Sequence, residues 1–251
     1  MTKILLSGAC GKMGEKIADV ISKKENMQIV CGVDIAQRIC DFPIYNNFDS
    51  IKETPDVIID FSHVSVLEKL LKYAVDKKIP CVIATTGFSA EQISAIKDAA
   101  KKIPVFFTAN MSLGVNLLCA LASKAASILG DDFDVEIIEK HHNQKLDAPS
   151  GTALMLANAV NSQFNDSYVY EYDRHSKRLK RPKKEIGIHS IRGGTIVGEH
   201  DVLFAGRDET VTLSHSATSK EVFAVGAVKA AEFLKDKNIG LYDMTDILNL
   251  G

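Results

Sequence analysis

The chain has 251 residues, 46% of them hydrophobic and 25% charged, a balance that excludes a disordered or fibrous protein and leaves an ordinary globular one. Thirty Lys and Arg against 32 Asp and Glu exclude a globally basic nucleic-acid binder. A chain of this length removes about 70% of its unfolded surface from water, enough for one large domain or two modest ones without staples.

In chain order, the first half alternates short β-branched runs with helical patterns, the signature of βαβ units and a parallel sheet. Strands are expected at 3–6, 28–33, 57–60, 81–85 and 105–108, and helices with Lys-rich outer faces over 12–24, 64–77 and 90–102. After Asn110 an Ala/Leu helix pattern (114–129) leads to a strand at 135–139, a polar loop and a helix from Gly151. Three alternating runs, 185–192, 196–204 and 210–216, lie close enough for an antiparallel sheet. A last helix pattern spans 221–234. The expected fold is α/β: a Rossmann-type parallel-sheet domain over 1–110, a smaller α+β domain over 111–220 with a mixed or antiparallel sheet, and a segment 221–251 that returns to the first domain.

Five cysteines, Cys10, Cys31, Cys40, Cys81 and Cys119, are an odd set with no C-x-x-C pair, which argues against a disulfide framework and for a reducing cytoplasm. The apolar run after Met1 is too brief for a signal peptide, and no stretch reads as a membrane span, so a cytoplasmic protein without a membrane partner is expected.

The strongest N-terminal motif is Gly8-Ala9-Cys10-Gly11-Lys12-Met13-Gly14, placed between the first strand and the first helix. Its G-x-x-G-x-x-G spacing is a variant of the dinucleotide fingerprint: Gly8 and Gly11 let backbone approach a pyrophosphate, the helix start supplies N–H groups, and Gly14 permits close helix–strand packing. An acidic residue belongs about 20 residues further on, where a carboxylate meets a ribose hydroxyl. Asp34 stands at the end of the second strand. That residue favours NADH, Ile35 adds no compensating charge, and Lys12 and Arg38 are within reach of a phosphate, so NADH and NADPH both stay open.

Two loops after later strands, Ala84-Thr85-Thr86 and Thr108-Ala109-Asn110-Met111, offer hydroxyls and an amide suited to a nicotinamide ring, or else ordinary turn and capping chemistry. His63, in the Asp60-Phe61-Ser62-His63 loop, reads as a capping or surface histidine.

The second motif runs from Glu139 through His141-His142-Asn143-Gln144-Lys145 to Ser150-Gly151-Thr152. With Ser150 as N-cap, the N–H groups of Gly151 and Thr152 and the Thr152 hydroxyl make an anion-capturing helix mouth, and His142 and Lys145 add positive charge. A carboxylate substrate fits, with His141 or Lys145 as proton donor. Adjacent histidines point apart and lack a metal-ligand partner, so no metal is expected. The basic run 177–184 lacks aromatic interleaving and reads as an exposed loop, not a nucleic-acid contact.

These segments, together with Gly198-Glu199-His200 and Gly240-Leu241-Tyr242-Asp243-Met244, resemble the 4-hydroxy-tetrahydrodipicolinate reductases, also called dihydrodipicolinate reductases, of bacterial lysine and diaminopimelate biosynthesis, over nearly the whole chain. The H-H-x-x-K-x-D-A-P-S-G-T pattern from His141 to Thr152 is the most specific part. The resemblance implies hydride transfer from NADH or NADPH to a cyclic unsaturated dicarboxylate with loss of water. It implies His141 as proton donor or acceptor, Lys145 as proton donor, and His142, Ser150, Gly151 and Thr152 around a substrate carboxylate. It also implies cofactor contacts at Gly8 to Met13, Asp34, Ala84 to Thr86 and Thr108 to Met111, and a homotetramer built through the second domain's sheet. Ile35, where the family often has a basic residue, and Ala84, where glycine is common, depart from the pattern, and the basic run lies outside it.

Overall fold

The computed structural model describes residues 1–249. The chain runs β1 (Thr2–Ser7), α1 (Lys12–Ser22), β2 (Met27–Val33), β3 (Ile44–Tyr45), β4 (Val57–Asp60), α2 (Leu67–Lys77), β5 (Cys81–Ile83), α3 (Ala90–Ala99), β6 (Pro104–Phe107) and α4 (Leu113–Leu129). It continues through β7 (Asp134–His141), α5 (Gly151–Asn161), β8 (Val169–Glu171), β9 (Glu185–Arg192), β10 (Gly198–Ala205) and β11 (Thr210–Ala217). It closes with α6 (Glu221–Leu234), β12 (Gly240–Tyr242) and α7 (Met244–Leu248). Two compact units emerge, Met1–Leu113 with the chain from Glu221 onward, and Gly114–Lys220.

The first unit is a seven-stranded parallel sheet in the order β12-β6-β5-β4-β1-β2-β3. Strand residues alternate between two hydrophobic clusters, one on each face. Ile4, Leu6, Val57, Ile59 and Val82 share the cluster of α1 and α6, whereas Leu5, Ile58, Cys81 and Ile83 share that of α2 and α3. Both faces being covered explains why these strands read as continuous apolar runs. The sequence runs missed β3, β8 and β12, whose two or three residues are too short to show periodicity.

The second unit departs from the antiparallel expectation for its three runs. The order is β11-β10-β7-β9-β8: β10 is antiparallel to both β11 and β7, but β9 is parallel to β7 and never touches β10. The burial pattern carries the signal. Residues 185–188 of β9 are buried in succession, as in a doubly covered strand, while β10 and β11 alternate.

Arg181, from the basic run, explains part of that run. Its side chain lies along the β7–β9 seam, donating to Glu136 Oε1 at 2.9 Å, the Val135 carbonyl at 3.0 Å and the Glu185 carbonyl at 2.6 Å. It clamps the segment to the sheet.

One sequence expectation needs correction: Leu113–Asp132 is a 20-residue segment long and apolar enough to cross a membrane by length and composition. Its Val115, Leu118, Cys119, Ala122 and Ala126 join Val135, Ile137, Leu156 and Val202 in the second unit's core. The apolar character there is that of a packed helix face.

The turn from β1 into α1 is drawn tight. Gly8 has φ +79°, and a Cβ on it would stand 2.3 Å from the Phe61 carbonyl oxygen. A Cβ on Gly14 would stand 2.4 Å from the Gly8 oxygen and 2.5 Å from that of Ala9. Backbone cannot step aside as a flexible side chain can. Gly14→Ala is therefore expected to cost about 1–3 kcal/mol, read as a melting temperature lower by several degrees; an unchanged melting curve would contradict this packing.

Candidate active site

In the first unit the glycine turn and the ends of β2 and β4 enclose a cavity of about 480 Å³ lined by Gly8, Gly11, Asp34, Asn46, Phe61 and Ser62. Asp34 is anchored in it: one oxygen accepts the Cys10 N–H and the other the Ala36 N–H, both at 2.9 Å. Arg38 is drawn to Glu15, and Lys12 is exposed. A second cavity, about 460 Å³, collects Met13, Ala84, Thr85, Thr86 and Gly87 beside the same Phe61 and Ser62. Thus Gly8, Gly11 and Asp34 share one hollow, and Met13, Ala84, Thr85 and Thr86 its neighbour.

The loop after β6 behaves differently. Thr108, Ala109 and Asn110 line neither cavity; Asn110 Oδ1 accepts the Ser112 N–H at 2.9 Å, and Met111 is buried in the core. Ala9 is likewise a core residue. His63 caps the short 3-10 turn at Val64–Val66, its Nδ1 accepting the Ser65 N–H.

The sequence reading placed Asp60 in a third loop after a parallel strand but gave it no role; in the structure it organises this region. Its buried carboxylate accepts from the Ser62 hydroxyl and the Thr85 hydroxyl, both at 2.6 Å, and Thr85 Oγ1 accepts the Ser62 N–H at 3.0 Å. The Thr85 hydroxyl is committed to holding the loop. Burial raises the Asp60 pKa against these hydrogen bonds. Its place as the last residue of β4 is the signal, since ligand loops in parallel sheets follow the carboxyl ends of strands.

In the second unit, β7 carries Glu139, Lys140 and His141. Alternation turns Glu139 and His141 inward, fully buried and 8% exposed, and Lys140 outward to Glu199 at 3.0 Å and Asp201 at 3.5 Å. Glu139 Oε2 is 2.6 Å from His141 Nδ1. Oε1 accepts the Ser150 N–H at 3.1 Å. Arg192, at the end of the parallel neighbour β9, grips both oxygens, Nη1 to Oε2 at 2.8 Å and Nη2 to Oε1 at 2.7 Å. Nη2 also donates to the Asp147 carbonyl at 2.7 Å.

Beside these, the His200 ring from β10 meets the His141 ring edge-on at 5.2 Å, and its Nε2 lies 3.0 Å from Ser150 Oγ. That hydroxyl also accepts the Ala153 N–H, making Ser150 the N-cap of α5, whose first turn presents Gly151 and Thr152. Lys145 is held to Asp147 at 2.8 Å, and His142 is half-buried at the start of the loop. A Cβ on Gly198 would stand 3.1 Å from His141 Nε2, so glycine there keeps that nitrogen unobstructed.

Charge follows geometry. Burial pushes the Glu139 carboxyl up, but Arg192, Ser190, His141 and the Ser150 N–H outweigh it and hold it at about 2. Burial lowers the His141 pKa, Glu139 raises it, and Lys145 and Arg192 lower it again. Burial and the neighbouring His141 depress His200 to about 4. Sequence reasoning missed Arg192 and the structural part of His200; only their position on strands beside β7, invisible in one dimension, brings them here.

Comparison with known proteins decides the family. The profile described as dihydrodipicolinate reductase, N-terminus, matches residues 2–111, and that described as dihydrodipicolinate reductase, C-terminus, matches 114–248. The chain belongs to the dihydrodipicolinate reductase family. It is 49% identical over 251 residues to the 4-hydroxy-tetrahydrodipicolinate reductase of Caldanaerobacter subterraneus subsp. tengcongensis, covering 100% of both chains. It is 46% identical over 249 residues to that of Clostridium novyi, covering 99% of this chain and 98% of the relative. Among solved structures, a dipicolinate-bound dihydrodipicolinate reductase from a Paenisporosarcina species superposes with TM-score 0.83 at 26% identity, covering 99% of each chain. A DAP dehydrogenase from C. glutamicum (TM-score 0.58, 12% identity, 97% of this chain and 92% of that one) shares the fold alone.

The site should make the protein acid-labile in two windows. His200, its folded pKa depressed to about 4, binds a proton more readily unfolded than folded, so stability falls as pH drops from about 6.5 to 4. Glu139, held at about 2, adds a loss from about pH 4.5 downward, as the unfolded carboxylate protonates first. Denaturant titrations of His200→Gln should show a flatter pH slope between 6.5 and 4; the parent slope retained would contradict the burial assigned to His200.

Proposed function

We propose that this chain reduces 4-hydroxy-tetrahydrodipicolinate to tetrahydrodipicolinate with NADH or NADPH, in lysine and diaminopimelate biosynthesis. The observation that carries the reading is the buried Glu139–His141 pair beside the capped start of α5, in a chain whose full-length relatives bear that reductase name.

The first unit fits a dinucleotide on grounds of shape and donors. Gly8 and Gly14 leave no room for a Cβ, a tight turn of the kind that lets backbone approach a pyrophosphate. Asp34 lines the cavity with a carboxylate suited to a ribose 2′-hydroxyl and repellent to a 2′-phosphate, which favours NADH. Gly8 to Met13, Asp34 and Ala84 to Thr86 would hold the cofactor, with Thr108 to Met111 at the nicotinamide end. When bound, it supplies the hydride.

The second unit supplies the proton and the grip. Gly151 and Thr152 at the start of α5 receive one substrate carboxylate, with His142 and Lys145 neutralising its charge. Hydride and proton add across one double bond of the ring after water leaves. His141 delivers that proton from Nε2, where Gly198 leaves access, and regains one from solvent, with Lys145 in the same loop as the alternative donor. The second unit's sheet, with β11 as an edge strand of alternating half-buried and exposed residues, is the face through which a cytoplasmic homotetramer would form.

The test is loss of reduced-nicotinamide absorbance on mixing the protein with freshly made 4-hydroxy-tetrahydrodipicolinate, with NADH and NADPH in parallel. Rapid turnover with a higher kcat/KM for NADH is expected. His141→Ala and Lys145→Ala should each lower kcat about 10²–10⁴-fold with cofactor affinity retained. Binding of cofactor without turnover of this substrate would overturn the reading.

A further inference from the structure

The parts of the second-unit site converge on one carboxylate. Glu139 Oε2 is 2.6 Å from His141 Nδ1, while Oε1 accepts the N–H of Ser150, the residue that caps α5. Arg192 closes the arrangement, bidentate on Glu139 and also bonded to the Asp147 carbonyl. The loop between His141 and Ser150 is thus tied at both ends to one ion pair. Its middle is tied by the Asn143 N–H to the Gly194 carbonyl at 3.2 Å, and the Gly193 N–H bonds the His141 carbonyl at 2.9 Å.

We infer that Glu139, kept ionised by Arg192, is a positioning residue that sets both halves of this site: it fixes His141 with Nδ1 protonated and Nε2 turned to the reacting group, and it sets the carboxylate-binding start of α5. The inference rests on the reading that His141 exchanges a proton with substrate.

Three physical points support it. A fully buried carboxylate is costly without partners, and Glu139 has four that favour its charged form. An ionised carboxylate can only accept, so the 2.6 Å contact requires the proton on Nδ1. A carboxylate so placed also stabilises the imidazolium from which the proton is donated, as a buried carboxylate stabilises the charged ring of other catalytic histidines.

The groups that face His141 are Glu139 on its own strand, Lys145 in the following loop, Arg192 on β9 and His200 on β10. Of these only Glu139 favours the protonated ring. Its neutralisation therefore moves the ring's titration downward, and the limb of the kcat–pH profile where the acid form is lost shifts to lower pH.

Glu139→Gln keeps the shape and removes the charge. It should lower kcat about 10²–10⁴-fold, shift that limb to lower pH, and leave NADH affinity unchanged. In a His141→Ala background the same substitution should change kcat by less than about threefold, because groups acting as a unit are not additive. A merely structural role would lower folded protein but leave the limb in place. Glu139→Asp, which retains the charge for Arg192, guards against a misfolded amide variant: it should keep the limb near its parent position while lowering kcat. An unmoved limb in Glu139→Gln, or losses that multiply in the double variant, would overturn the inference. If His141→Ala itself retains full kcat, the failure lies with the proton-transfer reading and not with the positioning.

Discussion

The ion pair between Glu139 and Arg192 is the constraint on which the second-unit site depends. Two charges drawn from water each carry a desolvation cost of several kcal/mol, recovered only when geometry is good and the remaining lone pairs are satisfied. Here the guanidinium meets both carboxylate oxygens, and His141 and the Ser150 N–H take up further acceptor capacity. Such a pair is a weak source of net stability but a strict one for geometry, because removing either partner strands the other. Sheet register is what delivers it: β7 and β9 run parallel, with His141 opposite Arg192 and Glu139 opposite Ser190. Had β9 paired antiparallel with β10 instead, as the spacing of the runs suggested, Arg192 would sit elsewhere.

The first unit uses its buried carboxylate differently. Asp60 has no cationic partner among its hydrogen-bond contacts and is surrounded by hydroxyls and a backbone N–H, so burial raises its pKa where Arg192 keeps that of Glu139 low. Asp60 ends β4 and Glu139 lies two residues before the end of β7, and each bonds the loop that follows its strand. Asp34 completes the set at the end of β2, accepting the Cys10 N–H of the glycine turn. Three carboxylates at or near strand ends thus bond three loops, with local partners rather than position setting what each can do.

Much of this was legible in the sequence. The glycine turn, Asp34 and the parallel alternation are local in sequence and are read from spacing; Ser150 as cap of α5 is equally local. What escaped was non-local. Arg192 lies 53 residues from Glu139, and His200 lies 50 from Ser150; no window of residues contains either pair. The parallel setting of β9 left a trace, its unbroken burial over 185–188, but in sequence the alternating apolar pattern fits both sheet types. The apolar helix from Leu113 also shows the limit of composition, since a packed face and a membrane span share it.

The most direct measurement is the protonation state of the His141 ring nitrogens by ¹⁵N NMR, assigned by comparison with His141→Ala and followed from neutral to alkaline pH. The account predicts that the acid form, protonated on both nitrogens, loses its Nε2 proton as pH rises and leaves a neutral ring with Nδ1 protonated beside Glu139. A ring protonated at Nε2, with an unprotonated Nδ1 beside Glu139, would contradict it.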